Sequence, residues 1–246
     1  MRCAVSRRTS AALTLALVWL GGCAPRPPVV RAIHARGGPL RAVVREVEAD
    51  VFVGAPGRWS WRTAFLYPDR YAWTIFTAAG ADHYLFDGTV SRTFIERNPV
   101  SVDAAPDAPL RSHARFTAVT YLDALLLPGV QVTPLAGSEL PDGAAWGLAA
   151  VFAGDGARYR LGFDTRDLLV HVEGPLGLPP LGAGMLSARF ADFHRTNGLF
   201  LPYRTAYSFG EAPLADERAV AICPNVHLAA EAFRMPAAIP TCGIRR

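Results

Sequence analysis

Lysine is absent from this chain: all 25 basic side chains are arginine, set against 21 acidic ones. That bias is the mark of genome composition rather than of a phosphate site. Three of the arginines fall within the first 22 residues, so the remainder carries 22 basic and 21 acidic side chains. A balance so close to neutral provides no electrostatic footprint for nucleic acid. No apolar run reaches the ~20 residues that a membrane-spanning helix requires. The six histidines, His34, His83, His113, His171, His194 and His227, are scattered without metal-ligand spacing, and no metal or other cofactor is implied. There is no Gly-x-Ser-x-Gly elbow, phosphate-binding loop or dinucleotide fingerprint. Asp82, Asp87, Asp164 and Asp167 stand at turn positions, where aspartate caps its own backbone. No catalytic set emerges, and the expectation is a protein that is not an enzyme.

What is present at the beginning is an export signal. Arg2, Arg7 and Arg8 supply the positive start, residues 11–20 an apolar core too short to span a bilayer, and Gly21-Gly22 the small residues before a cysteine. Leu20-Gly21-Gly22-Cys23 resembles the bacterial lipobox, which implies cleavage after residue 22 and acylation of Cys23. Each buried methylene of such an anchor contributes about 0.8 kcal/mol, so several palmitate-length chains hold the protein on its membrane. In lipoproteins of this kind an aspartate after the cysteine retains the protein in the inner membrane. Here that residue is Ala24, which points to the outer membrane, facing the periplasm.

Residues 23–39 read as a flexible tether, because Pro25, Pro27, Pro28, Gly37, Gly38 and Pro39 discourage regular structure. Residues 40–246 are enough for one all-β domain. Cysteine is scarce. Cys3 leaves with the signal and Cys23 is acylated, which leaves Cys223 and Cys242 to face an oxidising compartment. A disulfide between them would stabilise the fold by roughly 3 kcal/mol; the competing role, a catalytic thiol, lacks a base in any defined relation to either residue.

Period-two patterning dominates the rest. Val43, Val47, Ala49, Val51 and Val53 alternate with Glu46, Glu48 and Asp50, which predicts a half-buried strand. Trp59, Trp61, Phe65 and Tyr67, then Pro68-Asp69-Arg70, then Tyr71, Trp73, Ile75 and Thr77 predict a hairpin. Residues 83–86 and 90–95 continue the meander through Asp87-Gly88, and residues 98–109 read as a proline-rich loop. Phe116, Val119, Leu122, Leu125 and Leu126 fall at helical spacing across residues 112–127, and Pro128-Gly129 ends that helix. Strands resume at 146–152, 159–163, 168–173, 186–194 and 199–209, with one more after Glu217; Gly182-Ala183-Gly184 reads as a flexible loop. The connections are too short for parallel crossovers. The predicted fold is therefore mainly β: a large curved antiparallel sheet wrapped around or covered by helix.

Tyr84-Leu85-Phe86-Asp87-Gly88, Leu125-Leu126-Leu127-Pro128-Gly129, the run from Phe163-Asp164-Thr165 to Leu168-Leu169, and Phe190-Ala191-Asp192-Phe193 followed by Asn197-Gly198-Leu199 carry a further likeness. In these stretches the chain resembles the LolA/LolB family of periplasmic lipoprotein carriers and receptors. The resemblance implies an incomplete β-barrel covered by helix, with an apolar cavity for acyl chains. The family's receptor is itself an outer-membrane lipoprotein, in agreement with Cys23. The cysteine-linked tail and the proline-rich loop have no counterpart in that receptor.

Candidate ligand-binding residues are the aromatics Trp59, Trp61, Phe65 and Trp73, the helical Leu122 and Leu126, and Leu178 in an uncharged loop, Leu176-Gly177-Leu178-Pro179-Pro180-Leu181. Each has a second reading, as plain core or as a loop buried under another. Two functions follow: a carrier of acyl chains or lipoprotein cargo, or an assembly lipoprotein with a packed interior that contacts another envelope protein. The anchor generates a prediction of its own. Cys23→Ser should turn a membrane-bound product into one that is unprocessed or soluble, and a variant that matures and fractionates like the parent would refute lipidation.

Overall fold

The computed structural model describes residues 27–103, 109–178, 181–236 and 239–243. The export signal, Cys23 and Ala24 lie outside them. The chain runs α1 (Pro28–Arg36), β1 (Ala42–Val51), β2 (Gly57–Leu66), β3 (Arg70–Thr77), β4 (Gly80–Phe86), β5 (Ser91–Ile95), β6 (Asn98–Asp103) and α2 (Pro109–Thr120). It continues through a 3-10 turn (Asp123–Leu126) into β7 (Val130–Pro134), β8 (Trp146–Phe152), β9 (Arg158–Phe163), β10 (Leu169–Leu178), β11 (Gly182–Thr196), β12 (Leu199–Phe209) and β13 (Ala212–Pro224).

The thirteen strands of the described residues form one antiparallel sheet, ordered β6-β5-β4-β3-β2-β1-β13-β12-β11-β10-β9-β8-β7. Two meanders thus run outward from a central β1/β13 pair, and the sheet is open at β6 and β7. Helix α2, the link between the meanders, packs against β2, β3 and β4 of the first and β10 of the second. A sheet that reaches one helix from both halves must curve around it, which is the incomplete barrel that the strand pattern predicts.

The first meander is covered on both faces. Inward, Val43 and Phe65 pack with Leu40, Ala118 and Leu201, while Tyr71 and Phe86 meet Leu110 and Ala114 of α2. Outward, Val44, Ala64, Ala72 and Leu85 are covered by Leu228, Ala232, Phe233 and Ile239 of the C-terminal tail. Cys223 and Cys242 are joined, with Cα atoms 5.6 Å apart, and hold that tail down. The second meander buries Leu148, Tyr159, Leu161, Phe163, Val172 and Phe190 against Phe116, Val119 and Leu122 and against Val29 and Ile33 of α1.

Several boundaries differ from the sequence expectation. The tether is corrected between Pro28 and Arg36, where α1 presents a buried stripe of Val29, Ala32, Ile33 and Arg36. Its prolines and glycines bound the helix rather than dissolve it: Pro28 occupies the first turn, where a missing N–H costs nothing, and Gly37 closes the end at φ +105°. A Cβ on Gly37 would lie 2.3 Å from the Gly198 carbonyl oxygen, so space and conformation both demand glycine there. The Arg36 guanidinium donates to Asp123 Oδ2 at 2.8 Å and to the Gly38 carbonyl, and the Leu40 amide shares the same carboxylate oxygen at 3.0 Å. This buried pair ties α1 to the turn after α2.

The segment read as a proline-rich loop contributes β6, an edge strand whose six residues are all exposed and therefore show no apolar alternation. The predicted helix over 112–127 starts earlier and ends at Thr120, because Leu122 takes φ +64° and the chain leaves α-geometry. Leu176 to Leu178 extend β10, and Gly182 to Gly184 open β11 instead of forming a flexible loop. Among the described residues no helix is long and apolar enough to cross a membrane.

The Asp87-Gly88 turn links the meander to the tail. Asp87 Oδ1 accepts from the Thr89 and Val90 amides at 3.1 and 2.9 Å, and Oδ2 accepts from Arg92 at 2.8 Å and from Arg234 at 3.2 Å. Burial opposes the charge, but these bonds outweigh it and pull the carboxyl down to about 2. The folded value lies below the unfolded one, near 3.9, so the stabilisation is complete at neutral pH and lost as pH falls through about 2. Asp87→Ala should cost about 1–3 kcal/mol at pH 7 by urea unfolding. The gap to the parent should narrow as the pH is lowered toward the folded value, and a gap independent of pH would contradict the assignment.

Candidate ligand cavity

The concave face is not filled along its whole length. Toward the open ends of β1 and β2 a cavity of about 360 Å³ lies between the sheet and α2. Its construction follows from strand alternation. On β2, Trp59, Trp61, Thr63 and Phe65 all point inward, and their cross-strand partners on β3 include Ile75 opposite Trp61, Trp73 opposite Thr63 and Tyr71 opposite Phe65. Trp59 is nearest the mouth, where its indole N–H donates to the Ala55 carbonyl at 3.0 Å. Leu176, Leu181 and Leu186 come from the other meander, Leu214 from β13, and Phe116 and Thr117 from the helix above.

Aromatic contacts hold this wall in shape. Trp61 meets Trp73 edge to face at 6.0 Å, and His113 of α2 stacks on Trp73 and Tyr71 at 5.9 and 6.1 Å. Burial pushes the His113 imidazole down to about 4, so it is neutral at physiological pH and behaves as another flat ring.

At the inner end the lining changes character. Arg45 of β1 and Glu217 of β13 lie 3.5 Å apart, with side chains 13% and 9% exposed. The hydroxyl of Tyr207 reaches Glu217 Oε2 at 3.4 Å, and Tyr71 and Tyr121 stand beside the pair. Burial works against the Arg45 charge, but Glu217 and the tyrosines outweigh it and keep the guanidinium protonated. Burial raises the Glu217 carboxyl, with Arg45 acting in the opposite direction. All three tyrosines are pushed up by burial and remain neutral. The site is therefore an apolar pocket with one polar end.

The sequence candidates are distributed unevenly over this geometry. Trp59, Trp61 and Trp73 line the cavity together. Phe65 does not: it is 2% exposed and packs on Tyr121 at 5.4 Å, beyond the polar end. Leu122 is 2% exposed in the core and borders a separate void of about 80 Å³. Leu126 is 53% exposed, because the chain leaves the α-helix at Leu122 and the spacing that placed both leucines on one stripe no longer applies. The backbone of Leu178 ends β10, and its side chain lies outside the described residues. Arg45 and Glu217 were not among the candidates. Their signal was a charge at the inward phase of a strand whose other inward residues, Val43, Val47 and Ala49, are apolar.

No known protein family matches the sequence, and no curated protein does. Solved structures match by shape. A LolA superfamily protein from Nitrosomonas europaea aligns over 84% of this chain and 95% of its own, with a TM-score of 0.55 at 12% identity. A DUF1329 family protein from Desulfovibrio piger aligns over 86% of this chain and 97% of its own, with a TM-score of 0.56 at 10% identity. The fold is LolA-like.

The reassigned leucines separate core from surface. Leu122→Ala should destabilise by about 2–5 kcal/mol in urea unfolding, whereas Leu126→Ala should remain within about 0.5 kcal/mol of the parent. Equal effects would mean that the helix continues through both residues.

Proposed function

We propose that this protein is a lipid-anchored carrier of the bacterial outer membrane, facing the periplasm, which binds acyl chains or acyl-bearing lipoprotein cargo without catalysis. The observation that carries this reading is the cavity: about 360 Å³ walled by three tryptophans of the first meander and by Leu176, Leu181, Leu186 and Leu214 of the second. That volume falls in the range of small-molecule sites, roughly 300–1,000 Å³. Apolar ligand surface moved from water into it gains roughly 25 cal/mol per Å². The LolA-like fold supports the same reading.

Cys23 supplies the proposed attachment, and α1 sets its reach. Four residues separate Cys23 from Pro28, and a fully extended chain of that length spans about 15–18 Å. Because α1 is packed on the domain, the domain would be held close to the bilayer that anchors it. A membrane and its lipids are thus the partners within range, along with envelope proteins at the same surface.

A charge inside the cavity separates ligand binding from core packing. Ile75 is half-buried in the wall opposite Trp61. Ile75→Glu should weaken binding of a fluorescent fatty acid tenfold or more while costing less than about 1.5 kcal/mol of stability, since the carboxylate retains access to cavity water. A parent that binds no fatty acid, or a folded variant that binds it unchanged, would remove the carrier reading.

A further inference from the structure

The polar end of the cavity is built as a row. Arg45 on β1 pairs directly with Thr63 on β2, and Thr63 pairs directly with Trp73 on β3. Directly paired residues project from the same face of a sheet, and neighbouring strands lie ~4.8 Å apart. A guanidinium, a hydroxyl and an indole N–H are therefore set side by side across three strands, all within the lining of one cavity.

Two of these donors are unused. Among the described residues Arg45 Nη2 and Trp73 Nε1, both fully buried, have no hydrogen-bond partner. The contact of Arg45 with Glu217, at 3.5 Å from Nη1, is at the outer limit of a hydrogen bond, and the phenols of Tyr121 and Tyr207 are the other polar groups beside the guanidinium. Buried donors without partners are rare in folded proteins, and two in one row of a cavity call for an acceptor brought from outside. Glu217 sets the character of that acceptor. It already balances the Arg45 charge, so the row offers donors without a large net positive field.

We propose that this row receives the carbonyl oxygen of an acyl compound, so that a single chain with a small polar end enters head first and leaves its hydrocarbon among Trp59, Trp61 and Leu214. The inference rests on the carrier reading and narrows it, because a chain esterified to a bulky group cannot bring its carbonyl to the inner end of the cavity. The acyl carbonyl is shared by free fatty acids and by simple esters. A carboxylate brings a negative charge next to Glu217, with Arg45, Tyr71, Tyr121, Tyr207 and the Trp61 indole around it, whereas an ester brings none.

The test is competition by palmitate, methyl palmitate and hexadecane against a fluorescent fatty acid on the purified full chain. Carbonyl compounds should compete at least tenfold better than hexadecane. In Arg45→Met/Glu217→Gln, which removes both charges together and so strands neither, that advantage should collapse while competition by hexadecane persists. Preference for palmitate over its ester would assign the free acid, and the reverse preference the ester. Failure of all three probes to compete would overturn the carrier reading itself. Equal competition by all three in the parent, or an advantage retained in the double variant, would overturn head-first binding and leave the carrier reading standing.

Discussion

The pairing of β1 with β13 is the constraint on which the remaining architecture depends. It joins the first strand of one meander to the last strand of the other, over a separation of more than 160 residues between paired positions such as Ala49 and Glu217. Without it the chain is two independent sheets, each with a free edge where the centre should be. With it, all backbone pairing becomes continuous from β6 to β7, and α2 has two walls to pack against instead of one. The same pairing brings Arg45 and Glu217 together. Each charge is buried by the contact and is tolerable there only in the presence of the other, so breaking the pair by removing one partner leaves an uncompensated buried ion.

Covering the sheet is divided between two unrelated segments. Inside, α2 spans the concavity near Phe65 and Phe86 and stops short of the β1–β2 end, and this partial cover is what leaves a cavity in place of a closed core. Outside, the tail after β13 returns over β1 to β4, fixed by the Cys223–Cys242 bond and by the Cys242 amide donating to Glu46 Oε1 at 3.1 Å. A wall covered on its outer face is stiffened there, so the aromatic row facing the cavity is held from behind by Val44, Ala64 and Ala72 packed on Phe233 and Leu228. The position of the candidate site thus comes from α2, which also lines it, and its stiffness from a tail that does not.

Strand alternation was readable along most of the chain because an inward residue must be apolar over a buried face. β8 and β12 fall at the expected residues, and the hairpin around Pro68-Asp69 forms as its turn chemistry directs. The same rule hid β6, whose two faces both meet water, and it truncated β10 and β11, where Gly174, Gly177, Ala183 and Gly184 interrupt the pattern. The close approach is real at Gly184, where a Cβ would stand 2.5 Å from the ring of Phe209. Helical spacing likewise reached too far. It assigned Leu122 and Leu126 to one stripe, whereas Asp123, held by Arg36 from α1, turns the chain between them.

By itself the sequence determined the antiparallel class, the leftover cysteine pair and the inward phase of Trp59, Trp61 and Trp73, because these depend on neighbours within a few residues or on counting. Which inward residues face a cavity and which face packed core was decided by tertiary structure. Phase specifies a side of the sheet and is silent on what lies opposite. Trp61 and Phe65 have the same phase on the same strand, and they differ because the end of α2 and Leu40 cover Phe65 while the mouth beside Trp59 stays open. The row of Arg45, Thr63 and Trp73 is likewise a product of register across three strands, a quantity that hydrogen bonding between distant segments sets and local pattern does not.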